Sequence, residues 1–197
     1  GIVFARNEIL KASEGVVVMC DDDVRAVYGW NGCKYSKGNN IDSVMILDIC
    51  NTLKSNPRIG LLSPIYSGQL KSMNIDKSGQ FRRYRDKQRL HTIIAFNAPV
   101  LKNRNIWFDD KFIVLDDFDY ILQVLNSGLK ALTDWQYYIA VSGGMTKNKG
   151  GAEEFRSKEI SRDMAILLTK KWPKYVKPQW VERRQQWEVR ILWSAIK

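Results

Sequence analysis

Two groups of aspartates have the side chains best suited to chemistry in this sequence. The first is Asp21, Asp22 and Asp23, which directly follow the apolar run VVVMC. Adjacent carboxylates repel each other, and hard divalent cations such as Mg²⁺ or Mn²⁺ offset that repulsion because they prefer carboxylate oxygens. Alternate residues of an extended segment point to the same side, so Asp21 and Asp23 are predicted to converge on one cation. A surface turn, in which Asp is common, is the structural alternative.

The second group is Asp116, Asp117 and Asp119, at the start of a predicted helix. An aspartate at the N-cap (Asp116 or Asp117 here), or in the first turn, stabilises a helix by roughly 0.5–1 kcal/mol. One or two of the three carboxylates are explained in that way. The third is surplus, and a surplus carboxylate facing a pocket is a candidate general base. Spacing alone leaves both interpretations open.

The composition is that of a soluble globular protein. The chain has 197 residues, 45% of them hydrophobic and 26% charged, which suffices for one domain with a substantial core. No apolar run approaches the roughly 20 residues that span a bilayer, and no signal peptide is apparent, so no membrane partner is expected. The cysteines Cys20, Cys33 and Cys50 lack metal-ligand spacing, and His91 alone cannot complete a zinc site. The thiols are predicted to be free and buried in a reducing cytoplasm.

The net charge of +10 favours a polyanionic partner such as nucleic acid. The basic residues gather in three segments that also contain Gly, aromatic or Pro residues: Lys77–Arg89, Met145–Gly151 and Lys170–Arg184. Contact with nucleic acid or phosphate is one interpretation of these segments, and solvated loops are the other.

The elements that must position the aspartates alternate between helix and strand, which predicts an α/β fold. ARNEILKASEG is a predicted helix that ends with Gly15 in the left-handed conformation, and VVVMC is a predicted strand covered on both faces. Ligands of α/β sheets bind beyond the carboxyl ends of strands, where Asp21–Asp23 would lie.

The remaining predictions follow from periodicity and turn residues. They are a loop or hairpin at Tyr28–Asn40, a helix from Ile41 that stops before Pro57, and a loop over the polar, basic segment 68–89. Strands are predicted in RIGLLSPIYS, in HTIIAFNAPVLKN, where the strand enters a turn or short helix, and in LKALTDWQYYIAV. The last predictions are a helix from the second acidic group to Gly128, an amphipathic helix in SKEISRDMAILLTKKWP and a half-exposed terminal strand in WEVRILW.

Together, the segments GIVFARNEILKASEGVVVMCDDDV and IWFDDKFIVLDDFDYILQVLNSG resemble two motifs of the GT-A glycosyltransferases. The first resembles the element G-x-x-x-A-R-N-x-x-L-x-x-A-x-G with its following strand and D-x-D motif. The second resembles the later E-D-x-D helix, whose acidic residue is the catalytic base of inverting enzymes. The resemblance implies a GT-A-like, Rossmann-like mixed sheet flanked by helices. It also implies a single catalytic domain over residues 1–197, with 152–197 forming a helix and a terminal strand.

Within the GT-A proteins, the segments DDFDYILQVLNSG, AVSGGM and KKWP are most similar to the TET-associated glycosyltransferases. That family is found largely in phages and is linked to sugar transfer onto hydroxymethylated DNA pyrimidines. The resemblance implies a nucleotide-sugar donor, a UDP-sugar, with Mn²⁺ or Mg²⁺ as cofactor. It further implies DNA with a hydroxymethylated pyrimidine as acceptor, and the host cytoplasm as location.

The resemblance also assigns roles to the aspartates. Asp21 and Asp23 would hold the divalent ion on the donor diphosphate, with Asp22 beside them. Asp117 would deprotonate the acceptor hydroxyl, and Asp116 or Asp119 would be its substitute as base.

Further site residues follow from the same resemblance. Arg6 and Asn7 would lie near the nucleotide sugar. The remaining assignments fall in one glycine- and lysine-rich segment, where Gly143 and Gly144 would allow close backbone approach to the substrate, and Lys147 and Lys149 would contact diphosphate or DNA.

The sequence departs from the GT-A pattern in one respect. GT-A chains normally begin with a β-α-β segment before the A-R-N element, and this sequence begins at that element. Either a preceding segment lies outside it or the nucleoside is held in another way. A polysaccharide, lipid or protein acceptor is a second hypothesis, and a non-catalytic nucleic-acid-binding protein of this fold is a third.

Overall fold

A seven-stranded mixed sheet forms the centre of the protein, in a computed structural model that describes residues 1–66, 69, 74–141 and 157–196. The strands are β1 (Val16–Cys20), β2 (Val24–Trp30), β3 (Tyr35–Ser36), β4 (Ile59–Tyr66), β5 (Tyr84–Asp86), β6 (Ile93–Asn97) and β7 (Lys130–Val141), with β8 (Val176–Val181) and β9 (Gln186–Ile191) forming a separate two-stranded sheet. The helices are α1 (Ile2–Ala12), α2 (Ile41–Ser55), α3 (Ala98–Asn103), α4 (Asp116–Asn126) and α5 (Lys158–Lys171), and Glu182–Arg184 and Trp193–Ala195 are short 3₁₀ turns.

The predicted α/β class with a mixed sheet flanked by helices is confirmed. The main sheet has the order β1-β6-β4-β7-β2-β3, with β5 also paired to β7. Within the described part of the chain, β4 and β7 are the one parallel pair of this sheet, and the other neighbours are antiparallel. Because β6 runs antiparallel to both β1 and β4, the carboxyl ends of β1 and β4 lie beside the start of β6, at one end of the strands.

Two apolar clusters cover the two faces of the sheet. On one face, α2 buries Met45, Ile49 and Leu53, whose spacing of four residues puts them on one side of the helix. On the other face, α4 buries Ile121, Leu122 and Leu125, among other residues, against strands and helix α3. The helical periodicities predicted for both segments are confirmed, and Gly128 ends α4 with a positive φ of 82°.

Gly60 is the point of closest approach between β4 and the helices of the second face. A Cβ atom at this position would lie 2.9 Å from Val124 and 3.2 Å from Leu101. The absence of a side chain at Gly60 therefore lets α4 and α3 pack directly on the central strand.

Three predictions about the first fifty residues are wrong. Among the described strands, β1 pairs with β6 alone and lies at the edge of the sheet, so its residues are only half-buried and Cys20 is exposed. Helix α1 ends at Ala12, and Gly15 does not have a positive φ, because Ser13 rather than a glycine follows the last helical turn. Cys33 is exposed and Cys50 half-buried, so the cysteines are not core thiols.

The polar segment before β6 is more structured than its sequence predicts. Within its described part, β5 pairs with β7, and Ile75 bridges to Phe81. Arg83, just before β5, donates to buried Asp134 and also pairs with Asp48. The segment therefore adds a strand to the sheet although its sequence has no hydrophobic period. Ion pairs of Arg83 hold it in place.

The C-terminal residues pack on the second face of the main sheet. Leu168 of α5, Val176 of β8 and Ile196 are buried in the same cluster as α4. The predicted helix and terminal strand are confirmed as α5 and β9, whereas β8, which contains Pro178, was missed. None of the described helices combines the length and apolar character that crossing a membrane requires.

Candidate active site

The first acidic group lies at the end of the sheet where strands β1 and β4 finish. The Asp21 amide donates to the Thr92 carbonyl at 2.8 Å, which joins the residue after β1 to the residue before β6. His91 stacks on Tyr66, the last residue of β4, with ring centroids 4.8 Å apart. Asp21, Tyr66 and His91 therefore share one end of the sheet.

The carboxylates of this group are placed unequally. Asp21 and Asp22 are exposed and Asp23 is half-buried, and Asp22 lies with Asp23 in a turn, so the extended backbone predicted for this segment is wrong. One oxygen of Asp23, Oδ1, is buried and has no hydrogen-bond partner in the described part of the chain. Partial burial raises the pKa of Asp21, and the charges of Asp23, Asp117 and Asp22 add to this while Arg6 opposes it.

These features fit a cation held jointly by protein and ligand. A buried carboxylate oxygen without a donor is costly, and a cation would satisfy it. Within the described residues, no three His, Cys, Asp or Glu side chains converge closely enough to hold a metal ion by themselves. Mg²⁺ is commonly bound by one or two carboxylates together with substrate phosphates, which is the arrangement that Asp21 and Asp23 would allow.

Asp117 is held by an arginine from outside its helix. Arg89 donates to Asp117 Oδ2 from Nε at 3.1 Å and from Nη2 at 3.0 Å, and its guanidinium lies over the Phe118 ring at 4.7 Å. The Asp117 side chain keeps 21% of its surface exposed. The carboxylate is thus fixed in direction yet accessible to a ligand.

Asp116 pairs with Arg6, so α1 and α4 are joined at the site. Burial raises the pKa of Asp116 to about 6, with the charge of Asp117 adding to the effect and Arg6 opposing it. The predicted N-cap role of Asp116 or Asp117 is wrong. Leu115 occupies the N-cap with a φ of 67°, so all three aspartates lie in the first turn of α4.

Asp119 lies in a different network from the other aspartates. Its side chain is 1% exposed and accepts hydrogen bonds from Trp172 Nε1 at 2.8 Å, Lys171 Nζ at 3.0 Å and Gln123 Nε2 at 2.8 Å. These contacts join α4 to the end of α5. The structure therefore does not bring Asp119 to the cluster of Asp21 and Asp117.

The A-R-N element contributes one residue to the cluster and one to the scaffold. Arg6 faces Asp116, and its guanidinium lies 5.4 Å from the centroid of the Phe108 ring. The Asn7 amide donates to the Phe108 carbonyl and accepts from the Phe108 amide, both at 2.9 Å. Asn7 thus fixes the backbone beside the site. The other predicted contacts, Gly143, Gly144, Lys147 and Lys149, lie outside the described residues.

Sequence reasoning missed Arg89 and His91 as members of the site. The pKa of His91 is lowered by burial and by Arg89, although Asp117 and Asp23 oppose the shift. The imidazole is therefore a neutral group near both acidic clusters. The one available signal was position, since the segment RLHT immediately precedes a predicted strand.

A groove of about 960 Å³ lies at the opposite end of the sheet. Its lining includes Asn56 and Arg58 before β4 and Lys130 at the start of β7, and it includes none of the aspartates of the two acidic groups. The groove is open to solvent, and we consider the aspartate cluster the better candidate site because Asp116 and Asp117 are half-buried and each is held by an arginine.

The comparisons with known proteins give no family. The chain matches no protein-family model, and no curated protein is similar to it in sequence.

Proposed function

We propose that the protein is a metal-dependent, inverting glycosyltransferase of the GT-A type. The observation that supports this most strongly is that the segment before β6 contacts both acidic groups: the Thr92 carbonyl accepts from the Asp21 amide, and Arg89 donates to Asp117. Metal-dependent transfer of a group from a diphosphate to a hydroxyl needs one carboxylate that binds the cation and a second, oriented and accessible, that takes the proton.

Asp117 is the proposed general base. In the transfer step, Asp117 takes the proton of the acceptor hydroxyl, and the hydroxyl oxygen forms a bond to the anomeric carbon of the sugar. The bond from that carbon to the diphosphate breaks on the opposite side, and the diphosphate leaves with the electron pair. Arg89 keeps Asp117 in one orientation, which the reaction requires because the base must face the attacking hydroxyl.

Asp21 and Asp23 are the residues proposed to hold Mn²⁺ or Mg²⁺. When bound, the ion neutralises the charge that develops on the leaving diphosphate. The unpartnered Asp23 Oδ1 supports this role, and the exposure of Asp22 is compatible with its proposed contact with the donor. A UDP-sugar is the proposed donor.

DNA containing a hydroxymethylated pyrimidine is the proposed acceptor. The net charge of +10 supports a polyanionic substrate, because each lysine or arginine that contacts a phosphate releases bound counterions. A hydroxymethyl group on a pyrimidine supplies the primary hydroxyl that Asp117 would deprotonate.

The test is a transfer assay with a panel of nucleotide sugars and DNA containing hydroxymethyluracil or hydroxymethylcytosine. We expect transfer with Mn²⁺ or Mg²⁺, none after chelation, and a loss of at least about 10²-fold in Asp117→Asn. Asp110→Asn is the matched control, since Asp110 is exposed and lies outside the cluster.

Different failures have different meanings. Full activity of Asp117→Asn would exclude Asp117 as the base. Metal-dependent donor hydrolysis without transfer to DNA would support the donor chemistry and overturn the choice of acceptor. No consumption of any nucleotide sugar, with metal present, would overturn the proposed enzyme class.

A further inference from the structure

The ribbon formed by β8 and β9 has one apolar and one polar face. Its six residue pairs run from Val176 opposite Ile191 to Val181 opposite Gln186. Val176 is buried in the core, and Val189 and Ile191 pack against it. Because side chains alternate along a strand, the neighbouring residues form the opposite, outer face, which is polar except for Val181: Lys177, Gln179, Val181, Gln186, Glu188 and Arg190. Lys177, Gln179 and Arg190 are exposed, and the other three are half-buried.

Two cations lie directly opposite each other on this outer face. Lys177 is the cross-strand partner of Arg190, and both are exposed. Like charges in directly opposed positions destabilise a sheet. Neither side chain forms an ion pair with a described residue. An anion bound between the two would remove the repulsion.

The acidic side chains of the ribbon do not neutralise this pair. Residues 174–191 contain five basic and two acidic side chains. Glu188 Oε1 accepts from Arg184 at 2.7 Å, and Glu182 accepts from Trp180 Nε1 at 2.6 Å. Both carboxylates are thus engaged within the ribbon, and the outer face keeps a net positive charge.

The ribbon is joined to α4 through Trp172, whose Nε1 donates to Asp119 and whose carbonyl accepts from the Val176 amide at the start of β8. Burial lowers the pKa of the Arg89 guanidinium, but the charges of Asp117, Tyr66 and Glu188 together raise it above its ordinary value. Glu188 of β9 is therefore within electrostatic range of the pair that holds Asp117. The chain after β9 is also tied to this region, because Lys87 Nζ donates to the Ile196 carbonyl at 2.5 Å.

We propose that the outer face of the β8–β9 ribbon is the surface that binds duplex DNA, beside Asp117. A two-stranded ribbon fits the major groove, and the substituent at C5 of a pyrimidine lies in that groove. DNA held in this way would present a hydroxymethyl group towards Asp117 from an intact or nearly intact duplex. The inference rests on the proposed function for its choice of DNA as the ligand. It adds which surface binds the DNA and that the DNA is bound as a duplex.

The experiment measures binding of the full chain to a short, unmodified DNA duplex by fluorescence anisotropy over a series of salt concentrations. The test variant is the double substitution Lys177→Gln and Arg190→Gln. The matched control is Lys54→Gln and Arg58→Gln, which removes the same charge from exposed residues at the far end of the sheet. Unmodified DNA without sugar or metal makes the result independent of whether transfer occurs.

We expect the test variant to bind the duplex about tenfold more weakly and to reduce the slope of log K against log salt by about 2, since two phosphate contacts are lost. The control variant should change affinity less than about twofold. Thermal unfolding of the test variant should match or exceed that of the parent, because the substitutions remove a repulsion.

Three results would overturn the inference: no duplex binding by the parent protein, equal loss in the test and control variants, or tighter binding of single-stranded DNA or of an acidic polysaccharide than of the duplex. Failure of the proposed function has a different signature, since a protein that binds the duplex through Lys177 and Arg190 but transfers no sugar would keep this inference and lose that function.

Discussion

Arg6 and Asp116, which lie 110 positions apart, form an ion pair that fixes α1 against the start of α4. The pair stands directly beside Asp117 and within electrostatic range of Asp21. The contact explains why an A-R-N element near one acidic group and a D-D-F-D element in the other belong to one site. The arginine of the first element orients the helix that carries the second.

The stability of the protein should depend on pH through Asp116. Its folded-state pKa of about 6 exceeds the ordinary aspartate value of 3.8, so the folded state binds more protons in that interval. The contribution of Asp116 to the free energy of unfolding is therefore fully present below the lower value and is lost as pH rises through about 6. The loss amounts to about 3 kcal/mol at 1.36 kcal/mol for each pKa unit.

Urea unfolding from acid to neutral pH should reveal this contribution by comparison with Asp116→Asn. We expect the parent to lose more stability than the variant as pH rises through the interval, because an asparagine side chain does not titrate. Asp110→Asn should follow the parent. Parallel pH profiles of the parent and Asp116→Asn would contradict the raised pKa.

Asp119 should act as a structural residue. The substitution Asp119→Asn leaves one carbonyl for three donors and turns an amide NH₂ towards some of them. We expect the free energy of unfolding to fall by about 2–3 kcal/mol. Transfer activity, measured for each folded molecule well below the melting temperature, should stay within about twofold of the parent. Loss of turnover with unchanged stability would instead indicate a role as base.

The sequence predicted best the elements that carry their own hydrophobic period. The spacing of Met45, Ile49 and Leu53 marks the buried side of helix α2, and the predicted start at Ile41 agrees with the structure. Strand β5 was missed because its residues are polar, and it is held by the contact of Arg83 with Asp134. The edge position of β1 was missed because a short apolar run does not encode its place in a sheet.

Part of the candidate site could likewise be predicted from the sequence and part could not. The aspartates are consecutive or nearly so and were visible as motifs. Arg89 and His91 come from the loop before β6, and only the pairing of β6 with β1 brings them to Asp21 and Asp117. Contacts of that kind depend on strand order, which local spacing does not contain.

Gly60 should tolerate no side chain. In Gly60→Ala the new methyl group would meet Val124 at 2.9 Å and Leu129 at 3.3 Å, so α4 must shift away from β4. We expect unfolding to become easier by about 1–3 kcal/mol, as for other overpacked cores. Gly15→Ala is the control, since nothing lies within 4 Å of a Cβ there. Equal stability of the two variants would show that the contact between α4 and β4 yields easily.

Arg89 should set the orientation of Asp117 and thereby the rate of transfer. Arg89→Lys keeps a positive charge but loses the two N–H donors that converge on Asp117 Oδ2 and the planar contact with the Phe118 ring. A displaced base lowers turnover without weakening donor binding, so we expect kcat to fall by about 10²-fold while the KM for the nucleotide sugar is unchanged. Arg85→Lys, at an exposed position of β5, is the control. If both variants keep the parental kcat, Asp117 is oriented by something other than Arg89; if the KM for the donor rises instead, Arg89 belongs to the donor subsite and its pairing with Asp117 is secondary.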